Sequence, residues 1–236
     1  MRDYKSFEKI LLDSLDLKRP PVAIAFLETP APGVQKFEGS EPSSCSYWRL
    51  AAEGKTFYTV PSDHYNCAVG SHTHNIPLPA ERQQELSDTI GFMTGIGYIR
   101  MEEVGKIPQL KFQPRVINYA PLGDTPVAPD VVICSGTPGK LMLAYEAAIR
   151  AGIAAATPTL GRPTCMAIPA AMASGTVAST GCIGNRVYTT LADDELYLAL
   201  PGRDLLQFIH ALEAIVAANA ELQQYHAARR KALATE

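Results

Sequence analysis

The chain has 236 residues, 47% of them hydrophobic and 19% charged, with a formal net charge of −3. That length buries a substantial core, and the near-neutral balance gives no electrostatic footprint for nucleic acid or an anionic membrane. No uninterrupted apolar run approaches the roughly 18 residues that a bilayer span requires. The first seventeen residues carry acids inside their apolar pattern, unlike a signal peptide. These features predict a cytoplasmic protein. Five cysteines, an odd number, argue against a disulfide framework and leave packing, metal binding or catalysis.

Residues 4–16 place Tyr4, Phe7, Ile10, Leu11 and Leu15 at helical spacing, ahead of Pro20-Pro21. A short apolar strand is expected over Pro21–Phe26, followed by a proline-rich loop over 29–42. Cys45 then heads a helix that puts Trp48, Arg49 and Ala52 on one face, with Gly54 as its stop and a strand over 55–60. A polar turn region with Asp63, His64, Cys67, Gly70, His72 and His74 comes next, and a helix over 79–93. Further strands are expected at 116–119, 131–134, 176–179 and 196–200. Helices are expected from Lys140 to Arg150, from Pro163 to Ala173 and over 203–233.

No low-complexity linker divides the chain, so one domain over 1–236 is expected. Its class is α/β or α+β, with a mixed sheet and flanking helices. Two blocks have a similar outline: Cys45 to Cys67, and Cys165 to Cys182. Each runs from a cysteine at a helix head through a short strand to a cysteine beside a turn, which suggests two related halves.

A cysteine in the first turn of a helix sees free N–H groups and the positive end of the dipole, which favour a thiolate. The spacing alone leaves two readings of Cys45, Cys67, Cys165 and Cys182: a shared metal or cluster site, or four small buried hydrophobes. Dispersed single ligands suit an iron–sulfur cluster of the [4Fe-4S] type better than zinc, which favours close pairs. Haem is a weaker alternative because no C-x-x-C-H motif occurs. Cys134, inside an apolar strand, reads as core.

Arg49 and Arg186 are candidates for holding an anionic small molecule near the cysteines, or for salt bridges. His64 is a candidate acid–base group, or a loop residue. His72-x-His74 is a weaker metal pair, and Trp48 and Tyr58 are pocket or core residues. Gly136–Leu141 fails the phosphate-loop pattern, with two residues between its glycines instead of four and leucine after the lysine.

Pro21-Val22-Ala23-Ile24, Cys45-x-x-Trp48-x-x-Ala51 with Gly54, and His64-x-x-Cys67-x-x-Gly70 together resemble domain-of-unknown-function family 169 (DUF169, the uncharacterised ArCR group). The resemblance continues through Cys165, Gly181-Cys182-x-Gly184-x-Arg186 and Asp194-Glu195-Leu196. It implies that Cys45, Cys67, Cys165 and Cys182 belong to the family pattern and that Cys134 does not. The expectation is an iron–sulfur protein acting on a small anionic molecule. The alternatives are a non-catalytic ligand-binding protein with structural cysteines and a metal-free thiol enzyme or redox switch. The long C-terminal helix is a candidate dimer contact.

Overall fold

A computed structural model describes residues 3–234. Helix α1 (Tyr4–Leu15) starts where the Asp3 carboxylate accepts from the Ser6 N–H at 3.1 Å and stops at Asp16 in the left-handed region. Strand β1 (Val22–Leu27) leads through the proline-rich loop into helix α2 (Ser46–Ala52) and strand β2 (Phe57–Thr59). A 3-10 turn over Pro61–His64 precedes helix α3 (Ala68–Thr73). Helices α4 (Gln83–Gly95) and α5 (Met101–Val104) form an excursion before strand β3 (Val116–Pro121). The second half runs through β4 (Val131–Gly136), α6 (Pro138–Arg150), β5 (Ala154–Leu160), α7 (Ala167–Ser174), β6 (Thr176–Ser179), α8 (Ile183–Thr189), β7 (Leu196–Pro201) and α9 (Leu205–Leu233).

The strands make one mixed sheet in the order β2-β3-β1-β4-β7-β6-β5, antiparallel except for the parallel pair β5–β6. Alternation along the strands divides the core into two layers. Val22 and Ile24 of β1 and Val131 and Ile133 of β4 face one layer, with α2 and α7. Ala23, Val132 and Cys134 face the other, under α1, α6 and α9. Each fully buried leucine or isoleucine in these layers contributes roughly 1.5–3 kcal/mol of transfer free energy. Cys134 is fully buried in the second layer, as its strand position predicts, and burial pushes its thiol up to about 12.

The two halves are related by an approximate two-fold axis, which passes between Ala23 and Val132 where β1 pairs with β4. Val22 pairs with Pro121 as Val131 pairs with Pro201, and the match runs on through Leu27–Val116 and Gly136–Leu196. The outer strands keep the same register: Phe57 pairs with Tyr119 as Val177 pairs with Ala199. Both halves close with the same hydrogen bond, Leu122 N–H to Pro21 O and Gly202 N–H to Asp130 O, each at 2.8 Å. Cys45 and Cys165 are equivalent under this operation, each twelve positions before its matched strand residue. The halves differ by insertions: the 3-10 turn and α4–α5 in the first, α6 and β5 in the second.

Three local expectations are corrected. Residues 154–160, where the sequence predicts no strand, form edge strand β5, whose register is interrupted between Ala154 and Thr159. Residues 182–184 do not make a plain turn but open helix α8, and Cys67 likewise caps helix α3. Both helices are too short to show a 3.6-residue pattern. Helix α9 is, by length and composition, apolar enough to cross a membrane, with a mean hydropathy of 1.3 over its best window. Its first turns, with Leu205, Phe208, Ile209 and Leu212, are packed into the second core layer.

Candidate functional site

All four cysteines of the two blocks stand at the heads of short helices, and all four line one cavity of about 380 Å³. The two-fold operation explains the convergence. α2 and α7 cross the same face of the sheet on either side of the axis, so their leading cysteines point into the space between the halves. Cys67 and Cys182 then approach from α3 and α8.

Cys45 and Cys165 are buried, while Cys67 and Cys182 are partly accessible. Each of the four thiols interacts electrostatically with the other three. Burial pushes the Cys45 thiol up to about 11, and raises Cys67 and, further still, Cys165. The neighbouring sulfurs add to each rise. Two donors oppose this at Cys67: Gly70 N–H lies 3.2 Å from its sulfur, and Ser44 hydrogen-bonds it as well. Gly70 is needed there, because a Cβ would lie 2.3 Å from Ser44 Oγ and 2.8 Å from Cys67 Sγ. Ser43 Oγ lies 3.2 Å from Cys45 Sγ, and Thr164 Oγ1 accepts from Cys182 N–H at 2.6 Å.

Among the described residues, no group of three or more His, Cys, Asp or Glu is arranged to hold a metal ion. All four sulfur-bearing side chains nonetheless line the same cavity.

The three polar candidates lie away from the cavity wall. The His64 ring is 1% exposed, with Nε2 2.9 Å from Thr59 Oγ1 and Nδ1 3.0 Å from Ser44 Oγ. Burial holds its pKa well below the ordinary histidine value. It reaches the thiols only through Ser44. Arg49 is ion-paired with Glu53 at 2.9 Å and Glu41 at 3.7 Å. Arg186 donates to the carbonyls of Ala192, Thr180 and Glu195 at 2.7, 2.6 and 2.9 Å, and so ties the β6–α8 and α8–β7 connections together. His72 lines the cavity rim, and burial lowers its pKa. His74 is buried, its Nδ1 2.7 Å from Gly70 O and its pKa brought down to about 4.

Sequence reasoning missed the roof of the cavity. Leu86, Ile90 and Met93 of α4, with Ile99, Val104 and Ile107 after it, cover the thiols from above. The available signal was the helical spacing of Leu86, Ile90 and Met93, an apolar side that needs something to cover. It also missed Ser44 and Thr164, the matched hydroxyls that immediately precede Cys45 and Cys165, and Asn185.

The family model of the uncharacterised ArCR group, DUF169, matches residues 10–211. The chain belongs to the DUF169 family. The match includes all four cysteines and both symmetric halves, and ends within α9. No curated protein and no solved structure matches the chain.

Proposed function

We propose that this DUF169 protein holds an iron–sulfur cluster, of the [4Fe-4S] type, on Cys45, Cys67, Cys165 and Cys182, and exposes it to a small molecule in the cavity above. The reading is carried by one observation: four thiols from two symmetric halves line a single, mostly apolar cavity, each within electrostatic reach of the others. A single zinc ion, at Zn–S bonds of about 2.3 Å, draws four sulfurs into one tight tetrahedron. A cluster offers each thiolate its own iron and so suits sulfurs spread around a space. Burial favours the protonated thiols of Cys45, Cys67 and Cys165, and binding to iron would displace those protons outright. The Gly70 N–H would remain as a hydrogen bond to a coordinated sulfur, which tunes reduction potential.

The raised thiols also weigh against metal-free nucleophilic chemistry, which needs a thiolate near neutral pH. A reducing compartment, the cytoplasm, suits five unpaired cysteines. Anaerobic isolation tests the proposal through iron, acid-labile sulfide and the visible spectrum. The expected result is a coloured protein that loses its chromophore on Cys165→Ser and keeps it on Cys134→Ser. A protein that stays colourless and iron-free after anaerobic reconstitution overturns the cluster.

A further inference from the structure

The cavity has room above the thiols, and its walls say what kind of molecule fits there. The charged side chains on its lining, Arg162 and Glu103, are spent on each other at 2.9 Å, and the Arg162 guanidinium also lies over the Tyr98 ring at 4.8 Å from its centre. His72 is held by Gln109, whose side-chain amide nitrogen Nε2 lies 2.9 Å from its Nδ1, and burial favours its neutral form. Arg49 and Arg186, the cations expected to meet an anion, are engaged elsewhere. Ser43, Asn66 and Thr164 are hydrogen-bonded within the protein, and most of the remaining walls are aliphatic or aromatic, from the α4–α5 roof to Val69 and Tyr188. An ion brought into such a space loses hydration without a partner, at a cost of several kcal/mol.

One fully buried polar atom of the lining is left over. Asn185 is 1% exposed and lines the cavity, and its Oδ1 is buried without a hydrogen-bond partner. Buried acceptors of this kind are ordinarily satisfied by a ligand or water. We infer that the molecule held over the thiols is uncharged and largely apolar, with a hydroxyl or N–H that donates to Asn185, and not an anion. This rests on the cavity being the working site proposed above and specifies what that site accepts.

Three probes with one ring system test it by titration calorimetry: 1-naphthylmethanol, 1-naphthoate and 1-naphthylmethylammonium, each against cluster-loaded and metal-free protein. The alcohol should bind about tenfold or more tighter than either ion. Ile90→Glu, on a helix with no fully buried residue to unsettle, should weaken the alcohol by about tenfold. Equal or tighter binding of either ion, no binding of any probe, or indifference to Ile90→Glu with the circular dichroism unchanged overturns the inference. Iron and sulfide are assayed on the same samples. A protein that takes the alcohol but no iron keeps this inference and loses the cluster, and one that carries iron but prefers the naphthoate does the reverse.

Discussion

The two halves of the molecule share strand register, closing hydrogen bonds and helix-head cysteines, yet they secure those cysteines in different ways. In the first half the 3-10 turn carries His64 inward, and Cys67 is reached through a Thr59–His64–Ser44 chain. In the second half that turn is missing, and Thr164, the counterpart of Ser44, bonds the Cys182 backbone directly at 2.6 Å. The residue four positions after each cysteine then staples the connection, Ser71 Oγ to His64 O at 2.9 Å in one and Arg186 to Thr180 O at 2.6 Å in the other. The same placement of sulfur is therefore held by a buried neutral network on one side and by a partly exposed cation on the other.

The largest effect is expected where the halves close. Leu122 and Gly202 occupy matched positions and make the same hydrogen bond, but a Cβ at Gly202 would lie 1.8 Å from Pro129 O. Gly202→Ala should cost roughly 3 kcal/mol or more, because the obstructing atom is backbone. Leu122, fully buried beneath α1, should lose about 2–5 kcal/mol as alanine, by leaving a cavity. Urea midpoints measure both. If Gly202→Ala is tolerated, the closure of the second half is looser than that of the first.

Acid should separate the halves next. His64 and His74 belong to the first half and are buried in their neutral form, with pKa values depressed from 6.5, to about 4 for His74. A histidine whose folded pKa is depressed adds stability that is complete above its unfolded pKa and is lost as pH falls towards the folded value. Stability should therefore decline below pH 6.5 by about 1.4 kcal/mol per pH unit for each histidine. His64→Gln should remove about half of that slope. An unchanged slope in the variant would mean that the acid response lies elsewhere.

Much of this architecture is legible in the residues. Short continuous apolar runs mark β1 and β4, and Gly54 and the prolines mark where elements stop. Cysteines at helix heads mark the site, because a chain has few reasons to repeat that pattern across distant segments. The symmetry itself is harder to see, since strand register equates Phe57 with Val177 and Tyr119 with Ala199, pairs that share a place in the sheet and little side-chain chemistry. The polar candidates mislead for a related reason. Arg49, Arg186 and His64 lie near the cysteines in sequence, but which way each turns depends on partners such as Glu41, Ala192 and Thr59. The cavity roof comes from an insertion outside both cysteine blocks, so no motif points to it.

Arg186 provides the next smaller effect. Its guanidinium serves three carbonyls around Cys182, whereas Ser71 serves one near Cys67. Arg186→Met should cost about 1–2 kcal/mol, reduced by its partial exposure. It should also quicken alkylation of Cys182 relative to Cys67, as peptide mapping after brief iodoacetamide treatment would report. Ser71→Ala should leave that ratio within error, since the His64 network still braces Cys67. Equal acceleration at both cysteines in Arg186→Met would mean that the two halves are braced together and not separately.

The smallest effect is expected at the end of α9. The helix enters the second core layer through Leu205, Phe208, Ile209 and Leu212, but from Ala217 onward it is almost wholly exposed, including Leu222 at 55% and Tyr225 at 57%. The described residues of that segment are left outside the two core layers, and the family match has already ended. Removing residues 218–236 should therefore shift stability by no more than about 0.5 kcal/mol, as for other surface changes. Helix α1, its companion in the same layer, offers the contrast: Leu11 and Leu15 are fully buried, and Leu11→Ala should cost about 2–5 kcal/mol. A truncation that instead lowers the melting temperature by several degrees, with a halved mass in sedimentation, would mean that the distal turns are buried against a second copy of the chain. The two-fold logic inside the chain would then extend to its assembly.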